Sequence, residues 1–315
     1  MIVVCGEALV DLVVSGNGSR SPSPGGGPFN TARALARLGV PTAFLGHFSN
    51  DVYGRLLADR LAADGASLAL ATFGPEPTTV AVARIGEHGL AEYEFSVDGT
   101  SAANLTRDMI PAKLPKSVNA LHLGTLGLVL QPMASTLMDM VRRETQRRLL
   151  MLDPNIRPAL QADPQYRDRL NWFIAQSTVL KASAEDLDWL YPDLGYAAAA
   201  GHILGAGVRV VLVTLGANGA YGATPDGCFN VPAVPVEVVD TIGAGDAFGA
   251  AALAWLHDRE KLTRDLSLST HELQSLLEFC NLAAALTCTR SGAEPPTHSE
   301  MREAELKLRT GRPSL

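Results

Sequence analysis

Short apolar runs alternate with helix-period patterns through the C-terminal two-thirds of the chain. Residues 120–123, 149–152, 178–180 and 208–214 predict strands; residues 133–147, 185–190 and 196–204 predict helices. A long final helix is predicted over 271–290. Such alternation is what a mainly parallel sheet with helices on both faces produces. The chain opens on another apolar run, Ile2–Cys5, and residues 234–239 (Val-Pro-Val-Glu-Val-Val) predict a further buried strand. Two stretches break the alternation. Residues 11–21 and 78–101 carry strand-like runs (79–85, 91–95) punctuated by Gly86, Gly89, Asp98 and Gly99. They predict a small separate sheet, the alternative being an extension of the main sheet's edge. Residues 15–28, rich in Ser, Gly and Pro, read as a flexible loop.

Composition narrows this picture. At 315 residues, 47% hydrophobic and 19% charged, the chain predicts one packed α/β domain over 1–315 and no disorder. A formal charge of −7 argues against nucleic acid as a partner. The basic stretch 302–312 is the local exception and reads as a solvated helix face. Cys5, Cys228, Cys280 and Cys288 show no framework spacing, which fits reduced thiols in a cytoplasmic protein. Met1 leads directly into a strand, without the basic start of a secretory signal. No apolar run approaches the ~20 residues of a membrane span.

The candidate chemistry lies in Asp240-Thr241-Ile242-Gly243-Ala244-Gly245-Asp246-Ala247, between an apolar run and the helix-forming stretch from Phe248. Strand, glycine turn and helix together present unpaired N–H groups and the positive end of a helix dipole to an anion. An acid at Asp246 would repel a resting phosphate. It therefore reads as a group that takes a proton while the amides of Gly243, Ala244 and Gly245 hold developing negative charge. The alternative is a first-turn helix carboxylate beside an ordinary turn. A Walker A loop is absent, since the chain has no Gly-Lys pair, and Phe248 stands where a dinucleotide fingerprint needs its third glycine.

Asp-Thr-x-Gly-Ala-Gly-Asp-x-Phe resembles the C-terminal motif of the ribokinase-like, or phosphofructokinase-B, carbohydrate kinases. Gly25-Gly26-Gly27-Pro28-Phe29-Asn30 resembles their N-terminal motif, in the right order at the other end of the chain. Val4-Cys5-Gly6-Glu7-Ala8-Leu9-Val10-Asp11 and Arg290-Ser291-Gly292-Ala293 extend the resemblance over nearly the whole sequence. It implies a three-layer α/β/α fold with a mainly parallel central sheet and a small β-sheet lid over the sugar. It also implies ATP as phosphoryl donor, Mg2+, and a monovalent cation such as K+ near Asp240. The segment Ala91-Glu92-Tyr93-Glu94-Phe95 resembles the lid strand of bacterial fructokinases, which makes a primary hydroxyl of fructose the expected acceptor. Kinases of 2-keto-3-deoxygluconate, ribose or nucleosides remain alternatives, as does a non-catalytic regulatory protein. No Arg lies between Arg84 and Arg107 to meet a sugar acid. Paired lids in several relatives imply a homodimer.

The remaining candidate residues follow from their types and from this resemblance. A carboxylate at Asp11, beside apolar neighbours, must be satisfied by something, and sugar hydroxyls would do so; a turn cap is the alternative. Gly26 and Gly27 allow close approach, and Asn30 offers a donor and an acceptor. Asn155 could meet hydroxyls or phosphate, and Arg157 could neutralise a phosphoryl group. The segment that holds them departs from the family at Gln161, where Trp is common. Lys181, Ser183 and Asp186 stand where relatives carry Asn-x-x-Glu, so Asp186 would meet Mg2+ through water. Ser183 with Asp186 is equally close to a capping box. Thr214, Gly216 and Gly219 resemble a nucleotide-side turn, against a plain Asn218-Gly219 hairpin. Asn281 matches a position beside the adenine. Ser49-Asn50-Asp51 departs from the family's Gly-Asp-Asp or Gly-x-Asp.

Overall fold

In the computed structural model, residues 1–14, 20–85, 91–157 and 163–310 are described, without the side chains of 13–14, 20–21, 82–85 and 91–96. The first strand, β1 (Ile2–Cys5), shows the logic of the whole molecule. All four residues are buried, yet Ile2 and Val4 face one apolar cluster while Val3 and Cys5 face another. A strand buried on both faces needs apolar residues at every position, which is why its sequence is a run and not an alternation.

Beside β1 lie β4 (Thr42–Leu45) and β9 (Ala120–Gly124), both parallel to it. The order across the main sheet is β14-β13-β12-β11-β10-β9-β1-β4. Here β10 is Leu149–Asp153, β11 Val179–Ser183, β12 Val210–Thr214, β13 Ala220–Thr224 and β14 Gly227–Val231. Strands β4 to β12 run parallel, and β13 and β14 are added antiparallel as hairpins. One face packs on α1 (Gly27–Arg37), α7 (Ala244–Asp258) and α8 (Thr270–Cys288). The other packs on α3 (Met133–Glu144), α4 (Tyr166–Gln176), α5 (Ala184–Leu190) and α6 (Tyr196–Gly205). The expected three layers are present.

A separate four-stranded sheet has the order β3-β2-β7-β8, from β2 (Leu9–Val14), β3 (Arg20–Gly25), β7 (Val80–Ile85) and β8 (Ala91–Ser96). It is not an extension of the main edge. A two-stranded sheet, β5 (His47–Ser49) with β6 (Thr72–Gly74), and α2 (Val52–Ala63) complete this side. Asp51 caps α2 through Gly54 N and also holds the Thr78 amide and hydroxyl, at 2.8, 2.9 and 2.6 Å. Asp51, the residue of this segment that matches the family pattern, thus ties the chain just before β7 to the body.

Three expectations change. Residues 234–239 form no strand: Val238 and Val239 are 60% and 61% exposed, and the segment bonds only at its end, where Val239 N and Asp240 N donate to Cys288 O. Composition favoured a strand, but residues 234–239 are partly to fully exposed, without the two-sided burial that an apolar run implies. The loop expected over 15–28 contains β3, whose Pro22 and Pro24 fall at alternate positions of an edge strand; there a missing N–H can face outward. The helix over 271–290 is not the last. It is followed by α9 (His298–Arg309), capped by Thr297 and Glu300, with Met301 and Ala304 buried and Arg302 exposed. That solvated face was expected. Gly86, Gly89, Gln161 and residues 311–312 lie outside the described residues, as do the side chains of Val82, Ile85, Tyr93 and Phe95.

Candidate active site at the carboxyl edge of the sheet

The first turn of α7 opens at the carboxyl edge of the main sheet, where open α/β folds bind their ligands. Gly243 adopts φ 77° as its N-cap, a left-handed conformation that a glycine takes without strain. Asp246 follows in the first helical turn, buried to 9% exposure. Asn30 on α1 donates from Nδ2 to Asp246 Oδ2 at 2.9 Å. Burial raises the pKa of Asp246, while the Asn30 hydrogen bond, Lys181 and Arg157 oppose the rise. The carboxylate therefore holds a proton more strongly than an exposed one while staying beside two cations.

Gly27 sits at the centre of this group. A Cβ there would lie 2.5 Å from Thr125 Oγ1, 3.5 Å from Asp246 Oδ1 and 3.6 Å from Asn155 Nδ2. Thr125 and Asn155 both hold positive φ, 46° and 41°, unusual for residues with a side chain. Asn155 Nδ2 reaches Thr125 Oγ1 at 3.4 Å. The Asp11 carboxylate rests on Gly25, where a Cβ would come within 2.2 Å of Oδ2. Burial pushes the Asp11 pKa up to about 6, against the pull of Arg157 and with the push of Asp246. Arg157 is exposed beside these groups. Gly26, at φ 110°, lets the chain pass the Glu7 carbonyl, which a Cβ would meet at 3.0 Å. Glu7 is fully buried; its Oε2 accepts from Gly127 N at 3.2 Å, and burial pushes its pKa up to about 8.

Next to the first turn of α7, Lys181 Nζ donates to Asp153 Oδ2 at 2.8 Å. Burial works against this ammonium, but Asp153 and, behind it, Asp186 and Asp246 more than offset it, and its pKa is raised. The ammonium lies against Gly245, 3.0 Å from where a Cβ would be. Ser183 and Asp186 do form a capping box on α5, and Asp186 Oδ1 also accepts from Ile156 N at 2.7 Å. Thr214 is the cross-strand neighbour of Ser183. Gly216 and Gly219, at φ 56° and 90°, form the turn of the β12–β13 hairpin, so the hairpin alternative holds geometrically. Asn281 is buried and spends its amide on the Val231 and Pro232 carbonyls. Asp240 accepts from Ile242 N at 3.0 Å and from Gly292 N at 2.8 Å.

Gly26, Gly27, Asn30, Asn155 and the Gly243–Asp246 turn thus converge, with Asp11, Arg157 and Lys181 around them. Thr214, Gly216, Gly219 and Asn281 lie further along the sheet, toward β14. Three residues escaped the sequence reading: Thr125, Glu7, and Asp153 as partner of Lys181. The signal for Asp153 and Lys181 was their place at the ends of predicted neighbouring strands.

A buried acid at a helix N-terminus, hydrogen-bonded to the asparagine of a double-glycine motif, on a ribokinase-like frame, defines a carbohydrate kinase. Residues 1–300 match the pfkB family of carbohydrate kinases, and the chain belongs to that family. It is 36% identical over 307 residues to a fructokinase of Rhizobium leguminosarum bv. trifolii, covering 96% of this chain and 89% of that one. A fructokinase of Vibrio cholerae O395, solved with fructose, ADP and potassium ion, superposes with a TM-score of 0.80 at 26% identity, over 95% of this chain and 94% of that one. For the fold alone, a fructokinase of Xylella fastidiosa with bound ATP gives a TM-score of 0.89 over 99% of both chains at 24% identity.

Proposed function

We propose that the protein is an ATP-dependent fructokinase that transfers the γ-phosphoryl group of ATP to a primary hydroxyl of fructose. The observation that carries this reading is the 2.9 Å contact between Asn30 and Asp246, which joins the two ends of the chain at a helix N-terminus. Asp246 takes the proton of the attacking hydroxyl, and its raised proton affinity suits that role. The amides of Gly243, Ala244 and Gly245 receive the charge on the moving phosphoryl group. Lys181, held by Asp153 against Gly245, adds a fixed positive charge on the same side. Asp11, Gly26, Gly27, Asn30 and Asn155 orient the sugar, with Arg157 at the mouth.

We assign Thr214, Gly216, Gly219 and Asn281 to the nucleotide. Among the described residues no group of three or more His, Cys, Asp and Glu could hold a metal ion. Magnesium keeps several waters and binds chiefly to phosphates. Ser183 and Asp186 are the residues that would hold its waters, since each Asp186 oxygen retains a lone pair beyond its backbone bond. Bound there, magnesium would neutralise phosphate charge. Asp240, beside the turn, is the candidate for a monovalent cation; the Vibrio relative was solved with potassium. No helix among the described residues is long and apolar enough to cross a membrane. Free cysteines and the need for ATP favour the cytoplasm, and the small sheet is the candidate surface for a homodimer.

The test is ADP release with a panel of fructose, ribose, 2-keto-3-deoxygluconate and nucleosides. The expected result is the highest kcat/KM on fructose. A higher value for another acceptor would replace the substrate, and no sugar-dependent ADP release would point to a non-catalytic protein.

A further inference from the structure

Behind the glycine turn lies a buried guanidinium that phosphoryl transfer does not use. Arg33 stands on α1 one helical turn after Asn30, and it is only 2% exposed. Its Nε donates to Asp64 Oδ2 at 2.6 Å, Nη1 to the Ala293 carbonyl at 2.7 Å, and Nη2 to Glu294 Oε1 at 3.1 Å. Arg37 and Arg60 also pair with Asp64 and Glu294, so both acids keep cationic neighbours without Arg33. The bond to the Ala293 carbonyl is different, because neither of those arginines duplicates it.

Ala293 lies directly behind Gly243. A Cβ at Gly243 would fall 2.6 Å from the Ala293 Cβ and 3.0 Å from its Cα. One residue earlier, Gly292 N donates to Asp240 Oδ2 at 2.8 Å, at the start of the same turn. The segment around Gly292 and Ala293 therefore backs the turn at two points, and Arg33 fastens that segment to α1. Asn30 on the same helix holds Asp246 from the other side. The first turn of α7 is thus gripped front and back by one helix. A guanidinium suits this task, since its planar fork fixes three partners in direction where an ammonium would fix none.

We propose that Arg33 is a positioning residue that, through the Ala293 carbonyl, seats Gly243 and so aims the amides at which phosphoryl transfer takes place. The catalytic part of this statement rests on the kinase reading; the seating of the turn does not. A displacement near 1 Å can cost on the order of 10²-fold in rate.

The test compares Arg33→Met with Arg37→Met, which removes a partner of Asp64 and Glu294 but leaves the Ala293 bond. Without ligand, amide exchange is followed at Asp240, Ile242, Ala244 and Ala247, all hydrogen-bonded within or beside the turn. Exchange there should rise about tenfold or more in Arg33→Met and stay near wild type in Arg37→Met, a displacement of the kind that lowers rate by ~10²-fold. With ligand, kcat should fall roughly 10- to 100-fold in Arg33→Met, while both KM values move less than about threefold. Should Arg33→Met not fold, Arg33→Lys keeps the charge and loses the fork, and the same exchange comparison applies to it. Unchanged exchange at these amides, or equal increases in the two methionine variants, would overturn the proposal. If wild type turns over no sugar, the functional reading fails while the exchange comparison still decides the role of Arg33.

Discussion

In the proposed reaction Asp246 carries two demands at once: it must be ionised to accept a proton, yet it sits buried where phosphate would arrive. Asn30, Lys181 and Arg157 keep the charged form accessible. Asp246→Asn is nearly isosteric, so we expect kcat to fall about 10²–10⁴-fold with both KM values within an order of magnitude. Steady-state ADP release measures this, and near-wild-type turnover would remove the base assignment. Asp11→Ala should raise the sugar KM well above any change for ATP; equal losses for both ligands would indicate a folding defect instead. Glu7 yields a prediction of a different kind. Its pKa in the fold, about 8, exceeds the ordinary 4.5, so the native state keeps a proton that the unfolded chain releases between those values. Its contribution to stability is complete below the lower value and is lost as pH rises toward the upper one. Glu7→Gln should therefore lose less Tm than wild type between pH 5 and 8, and parallel Tm curves would refute it. Asn30 and Asp246 were legible because each stands inside a patterned segment. Glu7, Thr125 and the Asp153–Lys181 pair were not, since strand register and chain crossing set their neighbours.

At the level of elements, strands buried on both faces were the most readable, because runs such as Ile2–Cys5 and Val210–Thr214 are apolar at nearly every position. The run at 234–239 has the same composition and no strand, since it lies partly to fully exposed and composition does not encode burial. β3 was hidden for the converse reason: its prolines read as loop, yet an edge position tolerates them. In the proposed reaction the elements that matter most are α1 and α7, whose N-termini meet at Gly27 and Asp246. Gly27→Ala tests that meeting. The added methyl would come within 2.5 Å of Thr125 Oγ1, among the side chains of Thr125, Asp246 and Asn155 that form the site. We expect a folded protein whose kcat/KM for sugar drops by about 10-fold or more, consistent with the cost of small misplacements. Titration calorimetry would show weakened sugar binding with ATP affinity nearly kept. Unaltered sugar binding would mean that the two helices have slack at their junction.

For the molecule as a whole, the central question is what the separate sheet does. A single sheet layer has no core of its own, and an apolar face on it needs a second surface to cover it. Its attachment indicates which one. β2 carries Asp11, β3 runs into the double-glycine motif at Gly25, and Asp51 ties Thr78, just before β7, to the body. Two of these attachments, at Asp11 and at Gly25 beside Gly26, thus lie at or next to residues we assign to the sugar. The two hairpins β2–β3 and β7–β8 meet through the parallel pairing of β2 with β7, so they would move as one unit. We expect fructose to draw this unit over the pocket and shield the phosphoryl group from water. Hydrogen exchange across residues 78–101 should slow when fructose saturates the site, and unchanged exchange would sink the lid. A second copy of the sheet is the other surface that could cover an apolar face. Sedimentation at micromolar concentration should then report a homodimer, and a monomer would remove the pairing while leaving closure to the exchange data. The two measurements separate because closure depends on ligand, whereas pairing depends on protein concentration.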